Sequence, residues 1–366
     1  GSATVIVDGD RGKVIIDPDD ETVASYVKRL EQRRSLTARL AELRNLPAET
    51  ADGVRIRLGA NIEFPHETAS CLERGADGIG LYRTEFLYLA SSVEPSEEDH
   101  YQAYSQVVKE MNGRPVVIRT LDLGADKMGH RPLAENEHNP FLGLRSIRLS
   151  LRNLDLFRPQ LRAILRAAVH GDIRVMFPLI TTIAELRQAR MLLNVVAEDL
   201  AEAGVPHRSD IPVGMMVEVP AAVVLLERFV REVDFLSIGT NDLTQYTLAV
   251  DRSNEYVADP YQSSDPAVLR LIQQSVQTAD ANDTPIAVCG EMGSNPGRAL
   301  LLLGLGVRNL SVPPSALPRV KKAIRSVSIE QCRQISNRVM SLEAARDVDL
   351  YLLDRLGDLV PELVYS

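Results

Sequence analysis

The sequence predicts an α/β protein organised as a (β/α)8 TIM barrel, preceded by a linker helix and a short N-terminal hairpin. Three observations carry this expectation. Eight short apolar runs recur along the chain, separated by amphipathic stretches of helical period. The runs do not alternate apolar with polar, which is the pattern of parallel strands covered by helices on their outer face. Arginines, acids and a cysteine stand where several runs end, and barrel chemistry sits at the C-terminal ends of strands. At 366 residues the chain is longer than one simple core needs unless the fold is a large α/β barrel.

The elements follow in order. Residues 3–7 (Ala-Thr-Val-Ile-Val) and 13–17 (Lys-Val-Ile-Ile-Asp) read as a hairpin turning at Gly9 and Gly12, and Pro18 stops its second strand. From Glu21 to Leu46 the spacing of Val23, Val27, Leu30, Leu36, Leu40 and Leu43 predicts an amphipathic helix, which Pro47 ends. A lone hairpin is marginal in water. Residues 1–20 are therefore expected to be the edge of a further domain, residues 21–48 its linker helix and residues 49–366 the barrel. Barrel strands are expected at Val54–Leu58, Gly78–Leu81, Pro115–Thr120, Ile173–Phe177, Val213–Val217, Val233–Ile238, Pro285–Val288 and Val307–Val312. Amphipathic helices are expected between them, at Glu67–Arg74, Pro95–Met111, Phe157–Val169, Ile183–Ala203 and Ala222–Arg231. Leu300–Leu305 reads as a packed helix, and Ile329 to Leu356 as a helical segment with enough apolar residues to meet a partner.

Composition narrows the function classes. The net charge of −9 speaks against a nucleic-acid partner, whose phosphates need a basic surface. No apolar run approaches the roughly 20 residues of a membrane span, so no membrane insertion is expected. Tryptophan is absent, so the core must come from Leu, Ile, Val, Ala and Met. Cys71, Cys289 and Cys332 are widely spaced and odd in number, which fits a reducing, cytoplasmic setting better than a disulfide framework. No His or Cys spacing suits zinc. The six histidines, His66, His100, His130, His138, His170 and His207, are expected at the surface or in loops.

The ends of the runs hold the candidate chemistry. Val213–Val217 ends at Glu218, and Val233–Ile238 opens through Gly239 into Thr240, Asn241 and Asp242. Two acids at successive strand ends can share a divalent cation such as Mg²⁺, or can pair with arginines. Arg83 and Arg119 follow apolar strands, where a planar guanidinium suits a phosphate or carboxylate; pairing with Asp122 or Glu85 is the structural alternative. Arg252 and Lys127 can join them. Cys289, at the end of Pro285–Val288, is either a small buried hydrophobe or a thiol placed to deliver a proton to a carbanion-like carbon. Cys71 and Cys332 lie in helical patterns and read as packing residues.

Six blocks then carry a family resemblance: Gly80-Leu-Tyr-Arg-Thr-Glu-Phe-Leu87, Arg119-Thr-Leu-Asp-Leu-Gly-Ala-Asp-Lys127, Asn139-Pro-Phe-Leu-Gly-Leu-Arg145, Ser237-Ile-Gly-Thr-Asn-Asp-Leu-Thr-Gln-Tyr246, Leu248-Ala-Val-Asp-Arg252 and Cys289-Gly-Glu-Met-Gly293. In this order they resemble the C-terminal, phosphoenolpyruvate-binding half of enzyme I of the bacterial phosphotransferase system, the phosphoenolpyruvate–protein phosphotransferases. The resemblance implies that Arg83, Arg119 and Arg252 hold phosphoenolpyruvate, with Asn241 and Asp242 as further contacts and Lys127 and Arg145 in blocks that line the site. It implies Glu218 and Asp242 as Mg²⁺ ligands and Cys289 as proton donor to the enolate, giving pyruvate. It further implies a homodimer, and transfer of the phosphoryl group to a histidine on an N-terminal domain and from there to a small phosphocarrier protein. Residues 3–18 resemble the last hairpin of that phosphohistidine domain.

The sequence departs from the sugar-branch pattern at Ala125, where a glycine is usual, and at Val219, where a threonine is usual. Both variants resemble nitrogen-related or fused multidomain relatives, so sugar transport is one of several branches open. Two other readings stand beside this one. The barrel of a pyruvate phosphate dikinase or phosphoenolpyruvate synthase shares its logic, although no Gly-rich ATP loop is present. A non-catalytic phosphoenolpyruvate-binding dimerisation module is the other.

Overall fold

The computed structural model describes residues 4–9, 12–89, 93–124, 138–257, 259 and 261–364. Strands β1 (Val5–Asp8) and β2 (Lys13–Ile16) form the antiparallel hairpin, with Val5 opposite Ile16 and Val7 opposite Val14. These four side chains are all exposed. A helix over Asp20–Ala41 follows, its first turn capped by Asp19, whose carboxylate accepts the Thr22 N–H at 2.7 Å. The helix ends at Ala41 rather than at Leu46, because the chain tightens into turns in which Leu43 N–H donates to Leu40 O and Leu46 N–H to Leu43 O. Of its apolar stripe, Leu36 and Leu40 are buried, while Val27 and Leu30 are exposed. Side chains of the helix Leu317–Arg325 fasten the exit: Lys321 Nζ donates to Arg44 O at 3.1 Å and Arg325 Nη1 to Pro47 O at 2.7 Å.

Eight parallel strands then close a barrel: β3 (Arg57–Ile62), β4 (Ile79–Arg83), β5 (Val116–Arg119), β6 (Ile173–Phe177), β7 (Val213–Val217), β8 (Phe235–Ile238), β9 (Ile286–Val288) and β10 (Asn309–Val312). β10 pairs with both β9 and β3, which completes the ring. The first barrel strand differs from its expected span of Val54–Leu58. Residues 50–54 form a turn with Gly53 at φ +82°, closed by Thr50 N–H to Val54 O at 3.0 Å, so pairing starts at Arg57 and runs on to Ile62.

Two apolar layers hold the barrel together. The outer layer joins outward strand residues such as Ile118, Val175, Met215 and Leu236 to helix residues such as Leu161, Leu193, Phe229 and Leu301. Each fully buried aliphatic side chain there contributes about 1.5–3 kcal/mol. A smaller inner layer, Leu81, Met176, Met216, Phe235 and Cys289, plugs the bore. The run expected as a packed helix is the helix Pro296–Gly304, on which Ile329–Val339 packs, burying Ile329, Cys332, Ile335 and Val339. Most of the apolar surface expected to meet a partner is thus used inside the chain, although Leu350 and Leu353 on the helix Ala345–Leu359 stay exposed. Cys71 is buried in the helix Thr68–Glu73. Among the described residues no helix is long and apolar enough to cross a membrane.

Candidate functional site

A cavity of about 590 Å³ opens at the C-terminal ends of the barrel strands. Every candidate residue among the described ones lines it: Arg83, Arg119, Arg145, Glu218, Asn241, Asp242, Arg252 and Cys289. Strand pairing explains the convergence. Arg83 and Arg119 are the last residues of β4 and β5 and sit opposite each other in the ladder. Glu218 follows β7, Asp242 lies in the first turn of the helix Thr240–Leu248 after β8, and Cys289 follows β9. Lys127 lies outside the described residues.

The arginines and acids interlock. Arg119 contacts Glu85 through Nη2 and Asp122 through Nη1 at 2.8 Å. Arg145 Nη2 reaches Asp122 at 3.2 Å and Asp242 at 3.6 Å. Arg252 Nη2 stands 3.6 Å from Asp242 Oδ1, and Arg83 Nη1 is 3.2 Å from Glu63. The arginines thus pair with acids, the structural alternative of the sequence reading, and they line one cavity. Burial is the largest single influence and opposes charge on Arg119 and Arg145, but the surrounding acids together outweigh it, Asp122 first for both, then Glu85 at Arg119 and Asp242 at Arg145, so both stay protonated. Burial likewise acts to raise Asp122, but Arg119 and Arg145 outweigh it and hold its carboxyl down at about 2.

Glu218 behaves in the opposite way. Burial, and then the neighbouring Asp242 and Asp122, push its carboxyl up to about 8. Its Oε1 accepts the Leu179 N–H at 2.6 Å, and Leu179 adopts a left-handed φ of +51° to aim that donor. A left-handed backbone costs a non-glycine residue about 1 kcal/mol. Gly239 is required beside it, because a Cβ there would stand 2.4 Å from Glu218 Oε2. Asp242 Oδ1 is buried and accepts no hydrogen bond. Two crowded carboxyls, one held neutral chiefly by burial, with an oxygen that accepts no hydrogen bond beside the arginines, fit a small hard cation. Among the described residues no cluster of three or more His, Cys, Asp or Glu side chains could hold a metal, so a cation on this pair would need water or substrate oxygens to complete its shell.

Cys289 is buried, and its sulfur faces Ile238 O at 3.6 Å. Burial pushes its thiol up to about 11, with the Ser237 hydroxyl pulling the other way, so the group is a protonated thiol at neutral pH. Asn61 Nδ2 donates to Cys289 O at 3.0 Å, and Ser311 Oγ donates to Asn61 Oδ1 at 2.6 Å, which fixes the strand end. Gly290 lets this loop approach the next element, because a Cβ there would stand 1.9 Å from Thr240 Oγ1. Asn241 locks the same loop from the other side. Its Nδ2 donates to Glu291 Oε1, and its Oδ1 accepts the Glu291 N–H, both at 3.0 Å.

The family described as PEP-utilising enzyme, PEP-binding domain, matches residues 37–329. The chain belongs to that family. Its relatives include the phosphoenolpyruvate-protein phosphotransferases of Geobacillus stearothermophilus, 45% identical over 344 residues, and of Priestia megaterium, 43% identical over 344 residues. The phosphoenolpyruvate-protein phosphotransferase of Staphylococcus carnosus is 42% identical over 346 residues. Each alignment covers 94% of this chain and 60% of the relative, so the chain spans about three-fifths of the length of the curated relatives it matches.

Sequence reasoning missed the buried polar network that supports the site. His100, expected at the surface or in a loop, is fully buried in the helix Glu97–Met111. Its two ring nitrogens meet Tyr88 Oη at 3.1 Å and Tyr104 Oη at 2.9 Å, and burial lowers it to about 4, so it is neutral. Gln160, also buried, donates to Tyr104 Oη and to Thr84 Oγ1 and accepts the Leu121 N–H. Thr84 in turn donates to Arg119 O at 2.8 Å. The network ties together the ends of β4 and β5, from which Arg83, Glu85, Arg119 and Asp122 project. Helical periodicity is the signal that could have placed both inward: Gln160 falls on the apolar face of its helix with Phe157, Leu161 and Ile164.

Proposed function

We propose that this chain is the phosphoenolpyruvate-binding catalytic half of a phosphoenolpyruvate–protein phosphotransferase. It directs the phosphoryl group of phosphoenolpyruvate to a histidine on a separate domain and protonates the enolate left behind. The observation that carries the reading is the convergence of Arg83, Arg119, Arg145 and Arg252, the Glu218–Asp242 pair and the protonated Cys289 thiol on one cavity. Membership of the PEP-binding domain family and the names of the relatives support it.

Arg83, Arg119 and Arg252 grip the phosphoryl and carboxylate groups of the substrate with planar donor forks. Arg252 is the most readily recruited, since it is partly exposed and a loose 3.6 Å from Asp242. Asn241, held by Glu291, adds an amide contact, and Lys127 and Arg145 complete the rim. Glu218 and Asp242 hold Mg²⁺, which when bound offsets charge on the transferring phosphoryl group and on the enolate oxygen. As the phosphorus–oxygen bond breaks, a histidine nitrogen of the separate domain takes the phosphoryl group. Cys289 Sγ–H then gives its proton to the methylene carbon, forming pyruvate, and the thiolate recovers a proton from solvent. The high position of the thiol keeps that proton available at neutral pH.

The same reading brings in a phosphohistidine domain, a small phosphocarrier protein, a homodimer and a cytoplasmic setting. The exposed valine face of the hairpin supports an adjoining domain, and exposed Leu350 and Leu353, one turn apart, support a second copy. The test is Cys289→Ala, assayed with a histidine domain supplied in trans. Calorimetric binding of phosphoenolpyruvate with Mg²⁺ should stay within about threefold, while pyruvate formation should fall at least 100-fold. Unchanged turnover removes Cys289 from the chemistry. Stable phosphorylation of the isolated chain itself contradicts the assignment.

A further inference from the structure

A second cavity, of about 420 Å³, lies at the opposite end of the barrel. Its lining marks the N-terminal ends of the strands: Arg57 opens β3, Ile79 opens β4, Phe235 opens β8 and Asn309 opens β10. This end of a barrel ordinarily serves stability and is filled by side chains. Here the bore stays open over a volume within the range of small-molecule pockets. The inner layer of Leu81, Met176, Met216, Phe235 and Cys289 separates it from the upper cavity.

We propose that this lower cavity binds a small organic anion: an acidic head on Arg57 and a flat apolar body against Phe235. The charge pattern argues for the head. Arg55, Arg57 and Arg174 line the cavity against a single acid, Asp77, in a chain whose net charge is −9. Arg55 is spent on Asp77 at 2.6 Å, and Arg174 on both oxygens of Asp172 at 3.2 and 2.9 Å. Arg57 is exposed, and among the described residues its guanidinium has no hydrogen bond or ion pair. The walls argue for the body. Val117 and Phe235 present apolar side chains between the arginines and the floor, with Ala287 beside them, and the Ser237 hydroxyl gives an orienting polar point. An inorganic anion would leave those walls wet, and a neutral hydrocarbon would leave Arg57 unused.

The probe is 8-anilinonaphthalene-1-sulfonate, titrated by fluorescence against the full chain with and without saturating phosphoenolpyruvate. Because an inner layer of side chains divides the two cavities, one saturable site should appear and phosphoenolpyruvate should not displace the dye. Arg57→Glu, a change at an exposed side chain that the fold tolerates, should weaken that site at least tenfold. Ala287→Leu, which fills the lower bore, should abolish it, and Arg252→Ala at the upper rim should leave it unchanged. Binding should also weaken with salt, because the head sits on an exposed cation. The proposal is overturned if no saturable site appears, if phosphoenolpyruvate competes, or if Arg57→Glu binds the dye as the parent does. Should Ala287→Leu fail to fold by circular dichroism, the Arg57→Glu comparison decides alone.

Discussion

Glu218 has burial and Asp242 acting on its carboxyl in the same direction, so its proton is a reporter for the cation the site is proposed to hold. A cation can be bound only by the ionised carboxylate, so binding must expel that proton. Below about pH 8, each unit of acidification should therefore weaken Mg²⁺ affinity roughly tenfold. Calorimetry in two buffers of different ionisation enthalpy should read close to one proton released per ion near neutral pH. Stability without the ion runs the other way. The folded pKa lies above the ordinary value of 4.5, so this contribution is complete below that value and is lost as pH rises through about 8. The metal-free melting temperature should fall across that window. Glu218→Gln should flatten the slope and abolish Mg²⁺ binding; an unaltered slope would place the titration elsewhere. These residues stood out in the sequence because each follows closely on the end of an apolar run. Their pairing pattern was not, because which acid meets which arginine depends on rotamers that no spacing encodes.

At the scale of elements, strands were easier to read than the polar bonds that lock them. Seven of the eight barrel strands lie on their expected runs, since strands covered on both faces keep an apolar signature. The eighth, β3, was misplaced by the turn at Thr50 to Val54, whose valine mimics a strand residue while serving as turn closure. The helix Asp20–Ala41 ended early for a similar reason: leucine spacing persists through turns that are no longer helical. The Gln160 network was invisible because its members come from two strand ends and three helices and share no local pattern. Its importance can be measured. Gln160→Leu strands the Leu121 N–H and removes the donor to Thr84, which should cost ~3 kcal/mol of stability. By loosening the ends that carry Arg83 and Arg119, it should weaken phosphoenolpyruvate binding roughly tenfold or more. Gln160→Glu keeps the acceptor for Leu121 and regains a donor when protonated, so its binding defect should shrink as pH is lowered. A defect in Gln160→Glu that does not vary with pH would mean that the side chain fills space rather than positions the strand ends.

The molecule joins a barrel that carries both cavities to an N-terminal arm that packs on it beside the helix Leu317–Arg325. The family match begins at residue 37, close to where the arm meets the barrel. Contact is made by Leu36 and Leu40 and by the hydrogen bonds from Lys321 and Arg325 to the chain just beyond the helix, whereas Val27, Leu30 and the hairpin valines face outward. An apolar surface of this kind adds nothing to the barrel's own stability, because it stays in water. Removing residues 1–34 should thus leave the melting temperature of the barrel within a few degrees. Phosphoenolpyruvate affinity should stay within about twofold, since no described residue of the arm lines the upper cavity. Extending the cut to remove Leu36 and Leu40 uncovers barrel surface and should lower stability by ~3 kcal/mol or more. Differential scanning calorimetry on the two truncations separates these outcomes. If the shorter cut already melts the barrel, the arm belongs to the barrel's core rather than to a linker.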